Sequence, residues 1–491
     1  MHTSAHYRRK MKNMLVAYST AQNRWLWPSA LFSLTLFALA LRWYYVSTAL
    51  VIGPLSGDAT QYYSYAWNLV HHGIFANGHP GAATITPDNY RDPGYPLFLA
   101  IWMKLIGTND SWYAGTSWYA AVLLCQALLG ALTVTMAVQL GRYWLSLRWA
   151  ISAGLLMAVW PHSITINSNF LSETLFGFLC TLGLLLCARA HRRQSPWWAI
   201  TAGLVLGAAA LTNAILLPFG ILLSGFLAWR KLVPRRICVA LAIGALSLPS
   251  AWAIRNAQIP AVGAGNSSMT RALETFVVGS WPSFYPAWRA SVFGDANTKA
   301  NAQTTLKTVH DEMDVLQVAP LDGIPTIVQR LGQHPLRYAA WYLLEKPHLF
   351  WDWNIQIGYG DIYVLRTQDS PFQTKPAWIA VAAICRAMNL LLMLLALASL
   401  FLAWSKRRFQ NIFGEQANRA AVVAVVGLTV FATLVYTILQ AEPRYSIPFR
   451  SFEILLAVTT LSAIKTWWRQ RHKQPLDMEL APTSIPVTHH N

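Results

Sequence analysis

The chain has 491 residues, of which 55% are hydrophobic and 12% charged, a balance too apolar for an ordinary soluble protein. Its formal net charge of +18 does not indicate nucleic-acid binding, because the basic residues stand in short clusters between apolar runs of roughly 20 residues rather than on one face. The five cysteines lie inside those runs, without a CxxC pair. The composition therefore predicts an all-α polytopic membrane protein with about ten transmembrane helices.

The basic clusters also predict the orientation of the chain. By the positive-inside rule, the amino-terminal segment, residues 1–25, and the tail, residues 469–491, both lie in the cytoplasm. Between them we expect a transmembrane core over residues 26–255 and C-terminal transmembrane helices over residues 376–468. The long hydrophilic region 256–375 holds most of the acids, and we expect it to form a small, mostly helical external domain.

The first span, residues 26–50, carries Arg42 near its outer end, and a charge inside a span is by default a functional candidate. The first external loop, residues 51–115, follows it. Within this loop, residues 60–71 and 94–106 have the aromatic-rich pattern of short amphipathic helices that lie along a membrane surface. The loop is therefore placed where chemistry at a bilayer surface can occur.

Two carboxylates fall on the predicted external side, each at the start of a helix. Asp58 follows Gly57 just after the first span, and Glu173 follows Ser172 at the start of a later span. Either acid can have a purely structural role, since acids at these positions cap a helix or favour its dipole. Their location on one side of the membrane also suits a shared catalytic site.

Further charged residues from loops far apart in sequence reach the same predicted face. The full set is Arg42, Asp58, Arg91, Asp92, Glu173, Arg255, Glu442 and Arg444. This mixture suits sugar transfer at a membrane, because a carboxylate can take the proton of an acceptor hydroxyl or amide while arginines bind a leaving phosphate.

A series of short motifs follows in order along this face. They are Asp58 after the first span, Arg91-Asp92-Pro93-Gly94-Tyr95-Pro96, Leu171-Ser172-Glu173-Thr174-Leu175-Phe176, Ile254-Arg255-Asn256 and Glu442-Pro443-Arg444-Tyr445-Ser446-Ile447-Pro448. In combination they resemble the polytopic GT-C glycosyltransferases, and within them the bacterial branch of the protein O-mannosyltransferase and aminoarabinose transferase superfamily.

The resemblance implies an inverting hexosyl- or pentosyltransferase that moves a sugar from a polyprenyl-phosphate donor to a glycolipid, glycan or protein of the cell envelope. It implies a bacterial inner-membrane protein with a periplasmic active site. In this comparison Asp58 matches the catalytic base and Glu173 a second catalytic acid. By the same matching, Arg255 and Arg444 are candidates for binding the phosphate. The other candidate substrate-binding residues, chosen from their place on this face, are Arg42, Tyr62, Arg91, Asp92 and Glu442. No cofactor is assigned; a divalent metal ion is possible, since some relatives hold one between site acids, and no metal ligands are assigned.

Two departures from the family pattern concern the site itself. Asp92 stands where relatives often have proline, and it adds an acid that can compete with Asp58 for the role of base. Asn213 stands where relatives often have arginine, which removes one expected contact to the donor.

Three other functions stay open at this stage. A lipid-linked saccharide transporter or flippase would need a continuous polar path across the bilayer, and the spans contain few charges. An O-antigen ligase or polymerase would depend on the large external region, for example on His334 and Arg337, and would not need Asp58. A membrane scaffold without activity would tolerate substitutions at both Asp58 and Glu173. The donor sugar and the acceptor are not determined by the sequence.

Overall fold

A computed structural model describes residues 3–80, 82, 84–108, 117–259 and 267–473, with side chains from Leu26 to Arg471, Pro320 excepted. The structure is 79% helical with almost no strands. Within the described ranges, seven helices are long and apolar enough to cross a membrane, or eight if one bent pair forms a single span. The all-α polytopic fold is thus confirmed, and the count of about ten spans stays a prediction.

The first half of the chain contains the two short surface helices that the loop pattern predicted, now named α2 and α3, between longer apolar helices. The elements are α1 (Thr3–Thr48), α2 (Asp58–His72), α3 (Gly94–Ile106), α4 (Ser117–Gly141), α5 (Leu147–Val159), α6 (Pro161–Thr165), a 3₁₀ turn (Ile166–Ser168), α7 (Glu173–Arg193), α8 (Pro196–Thr212), a second 3₁₀ turn (Ala214–Leu216), α9 (Phe219–Trp229) and α10 (Arg235–Gln258).

The second half begins with helices of the hydrophilic region and returns to apolar helices at its end. They are α11 (Ser268–Gly279), α12 (Phe284–Phe293), α13 (Ala296–Val318), α14 (Pro320–Gln333), α15 (Pro335–Ala340), a π-helical turn (Trp341–Glu345), α16 (Lys346–Phe350), α17 (Pro371–Thr374), α18 (Pro376–Trp404), α19 (Lys406–Phe413), α20 (Arg419–Ile438), α21 (Pro443–Ser446), a 3₁₀ turn (Ile447–Phe449) and α22 (Arg450–Lys473).

The bent pair is α5 with the segment Pro161–Ser168, which meet at 61°. The cause is Pro161, because proline has no N–H to continue the helix and its ring clashes with the preceding turn. Trp160 before it is accordingly extended rather than helical. The bend directs the chain away from the axis of α5 toward the start of α7.

Helices α8 and α10 pack with their backbones in close contact at small residues. A Cβ on Gly203 would lie 2.3 Å from the carbonyl oxygen of Leu241, and one on Gly244 would lie 2.3 Å from that of Ile200. Only glycine allows this approach, as in other small-residue helix interfaces in membranes. Gly207, one turn further along α8, also faces α10: a Cβ on it would lie 3.0 Å from the carbonyl oxygen of Ala245.

The structure divides the predicted external region 256–375 into two parts. Residues 277–350 include a separate core, with Val277, Val309 and Trp341 among its buried members. Residues 351–375 instead pack into the transmembrane core through side chains such as Trp353. The second part is also tied to the end of α1 by a two-stranded antiparallel sheet, β1 (Leu50–Val51) with β2 (Thr367–Gln368).

Candidate active site

A cavity of about 630 Å³ opens at the end of the helix bundle where α1, α10 and α20 end and α7 begins. Five separate parts of the chain form its walls. Its polar lining is Asp58, Tyr62, Tyr90, Arg91, Asp92, Ser172, Glu173, Thr212, Asn213, Ser268, Arg271, Glu274, Thr275, Tyr436, Gln440, Arg444 and Tyr445. Most of the predicted site residues are therefore in one place, although they come from distant segments.

Arg444 joins the two predicted catalytic acids. Its guanidinium donates from Nε to Glu173 Oε1 at 2.5 Å and from Nη2 to Asp58 Oδ2. Neither acid caps its helix, because no side chain accepts a hydrogen bond at the start of α2 or of α7. Both acids do stand in the first turn of their helices, where a carboxylate favours the helix dipole, and each is in addition ion-paired with Arg444.

A second arginine approaches Asp58 from the other side. Arg91 donates to Asp58 Oδ1 at 2.6 Å and to Gln61 Oε1 at 2.5 Å. Its guanidinium also lies over the ring of Tyr62, 5.1 Å from the ring centre, and the Tyr62 hydroxyl donates to Ser172. Asp58 nevertheless keeps 27% of its side chain exposed, so a molecule in the cavity can reach it.

Burial and the neighbouring charges shift the pKa of Asp58 in opposite directions. Burial by itself would raise its pKa, but the positive charges of Arg444 and Arg91 outweigh this and hold the pKa of Asp58 well below its ordinary value. In return Asp58 raises the pKa of Arg91, against the lowering that burial causes. Asp58 is therefore an ionised proton acceptor at neutral pH, and a weak base as long as both arginines remain bound to it.

The local backbone directs Asp58 into the cavity. Gly57 precedes it with a positive φ of 58° and a ψ of −127°, a conformation that side-chain-bearing residues rarely adopt. This turn lets α2 begin at Asp58 immediately after the segment that leaves α1.

The opposite wall contains residues that sequence reasoning missed. Arg271 of α11 donates to Asp92 Oδ2 at 2.8 Å, and the same oxygen accepts from the backbone N–H of Ala214 at 3.1 Å. On the same helix, Glu274 accepts from the Tyr90 hydroxyl at 2.9 Å. Residues in α11 carry no motif, and only folding brings them to the cavity.

These contacts show that Asp92 and Asp58 have different partners. Asp92 joins the first loop to α11 and to the turn after α8, whereas Asp58 belongs to the cluster with Glu173 and Arg444. Arg271 also supplies a cation to the cavity that Asn213 lines.

Three predicted substrate-binding residues do not line this cavity. Arg255 donates to the backbone carbonyls of Asp88, at 2.9 Å, and Phe75, at 3.4 Å, so it supports the first loop. Glu442 accepts from the backbone N–H of Gln356 at 2.8 Å and so anchors residues 351–375. Arg42 lies inside the bundle in a different, smaller cavity.

The large cavity also has an apolar part of its lining. It includes Phe176, Ile215, Leu217 and Leu439, from α7, the turn after α8 and the end of α20. Leu217 is also 44% exposed, so this part continues to the outside of the bundle.

Comparison with known proteins supports the resemblance found in the sequence. Residues 90–254, about a third of the chain, match the family model described as dolichyl-phosphate-mannose-protein mannosyltransferase. The predicted resemblance to the GT-C glycosyltransferases is confirmed. The matched range holds Arg91, Asp92 and Glu173, whereas Asp58 and Arg444 lie outside it.

Solved structures with partial similarity are also membrane transferases. Archaeal oligosaccharyltransferase AglB from Archaeoglobus fulgidus, in complex with an inhibitory peptide and a dolichol-phosphate, is 14% identical with a TM-score of 0.48, over 95% of this chain and 53% of that one. ArnT from Cupriavidus metallidurans, bound to undecaprenyl phosphate, is 16% identical with a TM-score of 0.35, over 84% and 77%. The chain thus spans about half the length of the archaeal protein. No curated protein gives a significant match.

The geometry does not assign a metal site. Among the described residues, no group of three His, Cys, Asp or Glu side chains is placed to hold a metal ion. The divalent ion considered from the resemblance stays a prediction.

Proposed function

We propose that this protein transfers a sugar from a polyprenyl-phosphate donor to a cell-envelope acceptor in the large cavity, with Asp58 as the base. The observation that carries this proposal is the Asp58–Arg444–Glu173 cluster, extended by Arg91, on the wall of a cavity with a partly apolar lining. It combines a proton acceptor, phosphate-binding cations and a surface for a lipid chain.

In the proposed reaction an acceptor hydroxyl or amide attacks the anomeric carbon of the sugar from the face opposite the phosphate. The new bond forms to the acceptor, the bond from the anomeric carbon to the phosphate oxygen breaks, and its electron pair leaves with polyprenyl phosphate. The acceptor proton goes to Asp58. A single displacement of this kind inverts the anomeric configuration.

The ion pairs also provide a way to activate the base only when donor is present. Arginine binds phosphate as well as carboxylate, in both cases through parallel charge-assisted hydrogen bonds. When the donor phosphate takes over a guanidinium of Arg91 or Arg444, Asp58 loses part of the positive field that lowers its pKa. Asp58 then becomes a stronger base at the moment the leaving group is bound.

The apolar wall suits the lipid part of the donor. Ile215, Leu217 and Leu439 lead from the acids and arginines toward the exposed apolar surface of the bundle, where Leu434 and Ile438 are 58% and 57% exposed. A polyprenyl chain along this wall would keep its phosphate near Arg444. We propose that this face is the external one, in accordance with the basic clusters at the other helix ends.

The test is sugar transfer by the purified protein from a set of radiolabelled polyprenyl-phosphate sugars to envelope lipid, glycan and protein acceptors. Asp58→Asn keeps the shape of the side chain and removes the base, so we expect transfer to fall by about 10²–10⁴-fold. The matched control is Asp314→Asn, since Asp314 is exposed in α13, outside the cavity. Both variants should insert in the membrane and melt like the wild type.

Equal transfer by Asp58→Asn and Asp314→Asn would contradict the assignment of the base. The absence of transfer by the wild type with every donor would contradict the proposed reaction and favour the transporter or scaffold interpretations.

A further inference from the structure

Glu173 lines a second, smaller cavity as well as the large one. This cavity has a volume of about 30 Å³ and lies inside the bundle, between α1, α4, the turn before α7 and α7 itself. Arg42, Gly130 and Asn167 are among its other lining residues. It thus connects a buried arginine of the first span with a predicted catalytic acid.

Three polar atoms around this cavity are buried and have no hydrogen-bond partner in the described part of the chain. They are Arg42 Nε, Asn167 Oδ1 and Glu173 Oε2. Buried polar atoms are nearly always paired with protein or with ordered water, because leaving one unpaired costs about 1–3 kcal/mol. Three such atoms around one small cavity therefore point to a common ligand.

The remaining atoms of two of these side chains are held by the protein. Arg42 Nη1 donates to the carbonyl oxygens of Ala38, at 3.0 Å, and Ala158, at 3.2 Å. Asn167 Nδ2 donates to Thr174 Oγ1 at 2.9 Å. Neither side chain can turn to satisfy its free atom without giving up these bonds.

The chemistry of the three atoms selects a neutral ligand that both donates and accepts. Arg42 Nε–H is a donor, whereas the free oxygens of Asn167 and Glu173 are acceptors. A metal cation would be repelled by the guanidinium and an anion by the carboxylate. One water molecule accepts from the first atom and donates one hydrogen to each of the other two.

The dimensions agree with this ligand. Arg42 Nε and Asn167 Oδ1 both lie 2.8 Å from the point that a Cβ on Gly130 would occupy. They are therefore at most about 5.6 Å apart, within the reach of one water that makes two hydrogen bonds of about 2.8 Å. Such a water would lie beside this point, because the point itself is within bonding distance of the Gly130 Cα. A buried water needs roughly 10–15 Å³ and two to four polar partners, and this cavity offers both.

We propose that this cavity binds a structural water molecule that links Arg42 Nε and Asn167 Oδ1 to Glu173 Oε2. Arg42 is then a positioning residue: it holds one oxygen of Glu173 from inside the bundle while Arg444 holds the other from the active-site cavity. The link keeps the Glu173 carboxylate, and through it Arg444, in the orientation that reaches Asp58. This assigns Arg42 a role other than direct contact with the donor phosphate.

The water is tested directly by an experimental structure at about 2 Å resolution. We expect a density peak within hydrogen-bond distance of all three atoms in the wild type. Gly130→Ala places a methyl group at this point and should remove the peak. The matched control, Gly427→Ala in the membrane-spanning α20, has nothing within 4 Å of the added methyl group and should retain the peak. A wild type without the peak, or with Arg42 bonded directly to Glu173, would overturn the proposal.

The positioning role rests on the proposed sugar transfer and needs a kinetic test. We expect Arg42→Gln to lower kcat about tenfold with little change in the KM for the polyprenyl-phosphate sugar, since Arg42 does not line the donor cavity. Arg42→Lys, which keeps the charge, should recover part of kcat. A raised KM with unchanged kcat would instead show that Arg42 binds the donor and overturn the positioning role.

The structural test of the water and the kinetic test of Arg42 have independent outcomes. If the wild type transfers no sugar, the proposed function is wrong, while the density peak still decides whether the water is bound. Purified wild-type protein in detergent is sufficient for the structural part.

Discussion

Arg444 and Arg450 are close together in sequence, each forms a cluster with carboxylates, and the two clusters differ in what can reach them. Arg444 binds Asp58 and Glu173 at the wall of the large cavity, where Asp58 remains partly exposed. Arg450 binds Glu453 at 2.9 Å with both side chains at most 2% exposed. The same pair of chemical groups is therefore open to a ligand in one cluster and closed to it in the other.

The partners explain the difference. Arg450 also donates from its two terminal nitrogens to Asn389 Oδ1, at 3.0 Å, and to the carbonyl oxygens of Trp351, at 3.1 Å, and Asp352, at 2.6 Å. It thereby connects α18 and the segment after α16 to α22. The hydrogen bonds that the Arg444 side chain makes within the described part of the chain go to carboxylates, which a phosphate can replace. An ion pair thus indicates a ligand-binding site when solvent can reach it and when a ligand can replace one of its partners.

The largest effect on stability is expected at the closed cluster. Arg450→Met leaves Glu453 as an unpaired buried charge, which typically costs about 3–5 kcal/mol. We expect a clear loss of thermal stability in detergent and a low yield of folded protein. Replacing Glu453 by Leu in the same chain should restore part of the stability, and a single variant as stable as the wild type would contradict the structural role.

At the open cluster the same type of change should act on activity. Arg444→Gln removes the shared partner of Asp58 and Glu173 and one phosphate-binding cation, so transfer should fall by about 10²–10³-fold. Near-normal transfer by a folded Arg444→Gln protein would mean that the two clusters do not differ as proposed.

Glu442, two residues before Arg444, should make stability depend on pH. Burial raises the pKa of Glu442 from 4.5 to about 7, although the backbone N–H groups of Gln356 and Ile357 oppose this shift. The folded protein then keeps a proton that the unfolded chain releases near pH 4.5. This contribution to stability is present below pH 4.5 and is lost as the pH rises through 7, by roughly 3 kcal/mol at most.

This contribution is measured by comparing the melting temperatures of the wild type and of Glu442→Gln between pH 4.5 and 8. We expect the wild type to lose stability relative to the variant over that interval. Parallel curves for the two proteins would show that Glu442 does not hold a proton in the folded state.

The smallest effect is expected at Arg337, which an O-antigen ligase would require. Arg337 pairs with Glu345 on the surface, with 47% and 45% of the side chains exposed, and it does not line the large cavity. Exposed pairs contribute about 0–1 kcal/mol, so Arg337→Gln should change neither transfer nor melting temperature measurably. A loss of transfer comparable to that of Arg444→Gln would favour the ligase interpretation.

The sequence by itself determined the features that depend on local pattern. Apolar runs of membrane length and the aromatic periodicity of the first loop predicted the all-α polytopic fold and helices α2 and α3. Motifs next to helix ends predicted that Asp58, Glu173, Arg91 and Arg444 belong to the site. The reason is that a charged residue directly after an apolar span is expected at the membrane surface rather than in the lipid.

Only the tertiary structure decided which of these charges meet. Glu442 stands in the same motif as Arg444, and Arg255 in a motif of its own, but both bind backbone groups. Arg271, by contrast, reaches the cavity from a helix without a motif. Arg42 was placed with the substrate by its position in a span, and the packing of α1 against α4 places it in a separate cavity. The physical reason is that a side chain's partners depend on how helices distant in sequence pack together, and hydrophobic periodicity gives the buried face of a helix without its neighbours.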